Sequence, residues 1–131
     1  MSDTISKVNE LLPKVIEVWH AKGDSPYVLD LIEALLPGGP GGVQRASALR
    51  SIELSRRKKG LPIPERFEEA VQGEFNRHCS TSAVFKKYGV TMDALFLSRR
   101  DGNTAFWSVD PTPAFVWLAV RVLGPELRSD P

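Results

Sequence analysis

The amino-acid sequence predicts a mostly α-helical single domain that carries one β-hairpin. Three observations point there. From Ile5 to Phe75 apolar residues recur at three- and four-residue spacing, the mark of helices with one buried stripe. The pattern then gives way to two β-prone runs, Ala94-Leu95-Phe96-Leu97 and Ala105-Phe106-Trp107-Ser108-Val109, with Asp101-Gly102 between them. Finally, 131 residues at 42% hydrophobic and 25% charged suit one globular domain that needs neither disulfide nor metal to fold.

The first helix is expected from Thr4 to Ala21, with Ile5, Val8, Leu12, Val15, Ile16 and Trp19 as its stripe and Gly23 as its stop. Pro13 lacks the amide that a helix interior needs, so it should kink or split this element. A second helix opens at Asp24 or Ser25 with Pro26 in its first position, and its stripe is Val28, Leu31, Ile32 and Leu35. The run Pro37 to Gly42 reads as a linker. A third helix, from Val43 to Lys59, turns Val43, Ala46, Leu49 and Ile52 inward. A fourth, from Pro64 or Glu65 to His78, carries Phe67, Ala70, Val71 and Phe75. A short helical turn spans Ala83 to Tyr88, and Gly89 ends it.

If Asp101-Gly102 is a two-residue turn, Phe96 faces Trp107 and Leu97 faces Phe106, and Gly102 takes a positive φ. The closing helix has Thr112 as cap, Pro113 in its first turn and Gly124-Pro125 as its end. Only Arg121 is polar between Ala114 and Leu123, so Phe115, Trp117, Leu118 and Val122 are expected to cover a neighbour, most simply a second copy.

The order helix, helix, helix, hairpin is that of a winged helix. Residues 24–110 form its core, residues 1–23 precede it as a helical extension, and residues 111–131 close it. The stretch GLPIPERFEEAVQGEFNRHCSTSAVF, followed by DALF and FWSVD, resembles the winged-helix modules that accompany restriction and HNH-type nucleases. Val71, Phe75, His78, Cys79, Ser82 and Phe85 carry the likeness, continued by Asp93, Leu95, Phe96, Gly102 and Trp107. The resemblance covers roughly residues 60–110 and implies a DNA-binding or DNA-sensing accessory.

Net charge is only +1, but Arg45, Arg50, Arg56, Arg57, Lys58 and Lys59 stand against Glu53 alone between Val43 and Gly60. Such a cluster is either an electrostatic footprint for DNA or a solvated helix end. Phosphate contacts are therefore expected from Arg56, Arg57, Lys58 and Lys59 and from Arg99 and Arg100 at the hairpin tip. Gln72, Asn76 and Arg77 on the fourth helix could reach base edges. That helix also carries Glu65, Glu68, Glu69 and Glu74, whose carboxylates repel phosphates, which favours the alternative of a protein-interaction module that does not bind DNA.

No catalytic, metal or cofactor set converges. His78-Cys79 lacks the further ligands a metal wants, Glu17 and His20 form a single Glu-x-x-His pair, the glycine-rich run has no Lys-Ser/Thr after it, and Ser80, Thr81 and Ser82 have no base to activate them. The opening residues show no basic segment leading into an apolar run. The longest apolar run, Ala114 to Val120, is far short of the roughly 20 residues that span a bilayer. With Cys79 as the single cysteine, the expectation is a cytoplasmic, reduced protein with no membrane contact.

Overall fold

Helix α1 (Ser2–Ala21) turns Val8, Leu12 and Val15 into the protein, the stripe its spacing predicts. It stays one element through Pro13, which is exposed; a proline removes one hydrogen bond and does not have to end a helix. The computed structural model describes residues 2–23, 25–88 and 94–128, without the side chains of residues 2–3, 88 and 122–128. Asp24, Gly89, Asp93 and the side chain of Val122, all used in the sequence reading, lie outside the described residues.

Gly23 closes α1 with φ +81°. Helix α2 (Tyr27–Leu35) starts one residue later than expected, because Pro26 is extended (φ −67°, ψ 146°) and precedes the first turn. The Pro/Gly run is not a loose linker. Residues Leu36–Gly41 wind into a 3-10 segment that packs on the hairpin. Gly42 then brings the backbone against β3 at φ +88°, where an added Cβ would sit 2.9 Å from the Trp107 carbonyl oxygen. Gly42→Ala is therefore expected to cost about 1–3 kcal/mol in a urea titration, from backbone strain alone. Gly102→Ala, with open space around it, is expected to cost less. Equal losses would show that the close approach at Gly42 is unimportant.

That close approach delivers a strand the sequence did not announce. β1 (Val43–Gln44) pairs antiparallel with β3, and helix α3 (Arg45–Lys59) begins only after it. The inner stripe of α3 is accordingly Ala48, Leu49, Ile52 and Arg56, and Ala46, expected inside, is exposed. Gly60 ends α3 in the left-handed conformation. Leu61 N–H donates to the Arg56 carbonyl and Gly60 N–H to that of Arg57, the paired closure of a Schellman turn, with Leu61 buried beneath it.

Helix α4 (Phe67–Arg77) buries Phe67, Val71 and Phe75 and leaves Ala70 exposed. Helix α5 (Ala83–Tyr88) occupies the stretch predicted for it. Strands β2 (Phe96–Asp101) and β3 (Thr104–Val109) form the hairpin, and the sheet order is β1-β3-β2. The turn is Gly102-Asn103, not Asp101-Gly102. Gly102 has φ +64° and Asn103 does not share a positive φ, the signature of a II′ turn with glycine first. Phe96 therefore faces Val109 and Leu97 faces Ser108, two places from the expected register. A two-residue slip preserves which face each side chain occupies. Phe96 and Trp107 still share the buried face, where the Phe75 ring lies nearly parallel to both, at 5.3 and 4.0 Å between centroids.

Helix α6 (Pro111–Arg128) begins at Pro111, so Thr112 lies in its first turn and is not its cap, and it continues through Gly124-Pro125 as α1 does through Pro13. It packs along α1 and contributes Ala114, Trp117 and Leu118 to a core continuous with that of α2, α3, α4 and the sheet. His20 adds a second tie between α1 and the rest, through a 3.2 Å hydrogen bond to the Lys59 carbonyl. No helix is long and apolar enough to cross a membrane among the described residues.

Candidate nucleic-acid interface

The residues expected to meet phosphates do not share a face. Arg56 is the clearest correction: it is 2% exposed and belongs to the interior. Its guanidinium pairs with Asp30 on α2 at 2.5 Å, donates to the carbonyls of Ser25 and Pro62, and lies 5.0 Å from the Tyr27 ring. Burial pushes the Asp30 carboxyl above its ordinary range, and the charge of Arg56 with the Ser25 hydroxyl pulls it back. The sequence held the clue. Leu49, Ile52 and Arg56 stand at i, i+3 and i+7, so the arginine continues the buried stripe of its helix.

The rest of that cluster is partly committed. Lys59 is half-buried and pairs with Glu33 at 2.9 Å. Arg57 is exposed and bridges to Glu53 one turn back, a type of pair worth at most a few tenths of a kcal/mol. Lys58 is exposed. On α4, Arg77 pairs with Glu74. Arg99 donates to the Gly41 carbonyl and lies over the Phe106 ring at 4.5 Å, on the outer face of the hairpin.

Arg100 is on the other face, and there the structure assembles something the sequence did not show. Arg45 from the start of α3, Gln72 and Asn76 from α4, and Ser98, Arg100 and Trp107 from the hairpin line one groove of about 320 Å³. Arg45 donates through Nε to Gln72 Oε1 and stands over Trp107, with its guanidinium carbon 5.8 Å from the ring. Gln72 Nε2 donates in turn to Asn76 Oδ1 at 3.0 Å. Arg45 and Arg57–Lys59 lie at opposite ends of α3, roughly 20 Å apart at 1.5 Å per residue, so groove and helix end are separate basic places. Arg45 was missed because its charge counted only toward the cluster on α3. Nothing local in the sequence shows that three distant segments meet around it.

The closing helix corrects the expected interface. Trp117 and Leu118 are buried in the chain's own core, with Arg121 laid over the Trp117 ring at 3.5 Å. Phe115 is half-buried beneath Lys7, and among the described side chains of α6 the exposed large apolar ones are Val116 and Val120. A second cavity, of about 400 Å³, lies where α1, the 3-10 segment and α6 meet, lined mainly by Ile5, Leu35, Leu36, Pro40, Val109 and Pro111.

His78 and Cys79 sit where α4 ends. The His78 carbonyl accepts both the Leu95 and Phe96 amides, anchoring the start of β2. Its imidazole is 3.6 Å from Glu74, and that neighbour together with Arg77 holds the Glu74 carboxyl below the usual range. The Cys79 thiol is buried, 3.3 Å from the Thr81 hydroxyl. No group of three metal-binding side chains occurs among the described residues. Compared with protein-family models, curated proteins and solved structures, the chain matches none.

Proposed function

We propose that the chain is a non-catalytic winged-helix module that associates with duplex DNA through its phosphates. The observation that carries this reading is the order α2, β1, α3, α4, β2, β3 around a sheet in the order β1-β3-β2. With the 3-10 segment and α5 as insertions, that order supports the winged-helix reading, in which α4 is the third helix and the β2–β3 hairpin the wing. The resemblance to modules beside restriction and HNH-type nucleases leads to the same expectation. The contact set differs from the basic run in the sequence. Arg56 is withdrawn, and Lys58, Arg57, Arg99 and Arg100 remain exposed. Glu68 and Glu69, also exposed, face outward on α4 and disfavour a phosphate backbone there, so binding should position without reading sequence. A reducing cytoplasm suits the buried thiol of Cys79.

A labelled duplex titrated at low and moderate salt tests this. Binding is expected at low salt, falling steeply as salt rises and varying little with sequence. Replacing Arg99 and Arg100 together by alanine should weaken it and flatten the salt slope by about one unit per lost contact. No binding at low salt would sink the proposal. The second reading, a protein-interaction module, would then lead. The carboxylate-rich outer face of α4 and the exposed Val116 and Val120 of α6 favour it, the latter as a contact for a partner or a second copy.

A further inference from the structure

The geometry points to the groove between the start of α3, α4 and the hairpin as a seat for one phosphate group, with Arg45, Asn76 and Arg100 as its donors. Arg45 gives only its Nε to Gln72, and Gln72 gives its amide to the Asn76 side-chain oxygen. Both side-chain oxygens of this relay already accept a hydrogen bond within it, and the N–H groups it leaves over are the Nη groups of Arg45 and the Nδ2 group of Asn76. Among the described residues these donors have no hydrogen-bond partner, and neither does the Arg100 guanidinium across the groove. No carboxylate lines the groove, so its two guanidinium charges have no ion-pair partner there. Arg56, Arg57 and Arg77, by contrast, each have a carboxylate partner.

An anion is the complement of such a surface. Guanidinium forks and an amide lining one groove from more than one element suit a tetrahedral phosphate group, whose oxygens do not lie in one plane, better than a flat carboxylate. Two sources carry that chemistry, a phosphodiester of a nucleic-acid backbone and a phosphomonoester of a small molecule. The inference does not depend on duplex binding, though a backbone phosphate seated here would deepen that reading.

The test is a titration of the full chain with inorganic phosphate at constant ionic strength, followed by NMR at the side-chain and backbone N–H groups of Arg45, Asn76 and Arg100. Saturating shifts confined to these groups are expected. Arg100→Ala should weaken binding about tenfold or more, the usual effect of losing a charge-assisted hydrogen bond. Asn76→Asp keeps the acceptor for Gln72 and adds a negative charge to the groove, so it should abolish binding with the fold intact. Shifts no larger than those given by chloride, equal binding of acetate, or unchanged affinity in both variants would overturn the site. A nucleoside monophosphate and a dinucleoside monophosphate separate the sources. Tighter binding of the first assigns a small phosphomonoester, equal or tighter binding of the second a nucleic-acid backbone, and either supports the seat. Duplex binding absent with phosphate binding present would remove the function proposed above and leave the seat standing.

Discussion

Arg56→Met is expected to destabilise the protein by about 3–5 kcal/mol, the usual cost of removing one partner from a buried ion pair. Asp30 would remain at 4% exposure with the Ser25 hydroxyl and the charge of Lys59 but no guanidinium, and the carbonyls of Ser25 and Pro62 would lose their donor. The loss should depend on pH with a definite sign. Without the guanidinium, burial raises the folded-state pKa of Asp30 further above its unfolded value. Such a group favours the fold below the unfolded pKa, and this contribution is lost as pH rises through the folded one. The variant should therefore recover part of its deficit in acid. Pairing Arg56→Met with Asp30→Leu should recover most of it at neutral pH, since apolar side chains of similar size often replace a buried pair without loss. Chemical denaturation followed by circular dichroism measures all three. A deficit under about 1 kcal/mol for Arg56→Met at neutral pH would mean that the arginine reaches solvent and is again available to a ligand.

Phe75→Ala should cost a similar amount, about 3–5 kcal/mol, as aromatic truncations in cores do. Its ring is the contact between α4 and the sheet, lying against both Phe96 and Trp107, so the cavity would open at the junction of two layers. Trp107 fluorescence should shift to the red as its stacking partner is lost. A loss below about 1 kcal/mol with unshifted emission would place Phe75 at the edge of the core.

Helices with a long apolar stripe were legible in the sequence because burial repeats along them, as at Val8, Leu12 and Val15 or at Val71 and Phe75. The hairpin was legible too, but its turn was not. In Asp101-Gly102-Asn103 the glycine fits second place in a I′ turn or first place in a II′ turn, and only the pairing decides. β1 was hidden because a two-residue strand has no period of its own, and Val43 fits the helical stripe just as well. The Pro37–Gly42 run has the composition of a linker, and what holds it is contact with β3, remote in sequence. The site suffered most. The charges of Arg56 and Arg57 are adjacent in sequence, yet a turn of 100° per residue puts one inside and the other in water. Arg45, Asn76 and Arg100 are scattered in sequence and become neighbours only through tertiary structure.

The packing of α1 on α6 sets an order of events for a chain made from one end. The stripe of Val8, Leu12 and Val15 emerges first, while Trp117 and Leu118 are made after everything from Ala21 to Pro111. At roughly 5–20 residues per second, several seconds of synthesis separate the two halves of this contact. The residues of α2, α3, α4 and the hairpin, whose contacts are closer in sequence, are all made before those of α6. In a growing chain α1 is therefore a helix in waiting, and its apolar side is the surface a chaperone would meet until α6 closes over it.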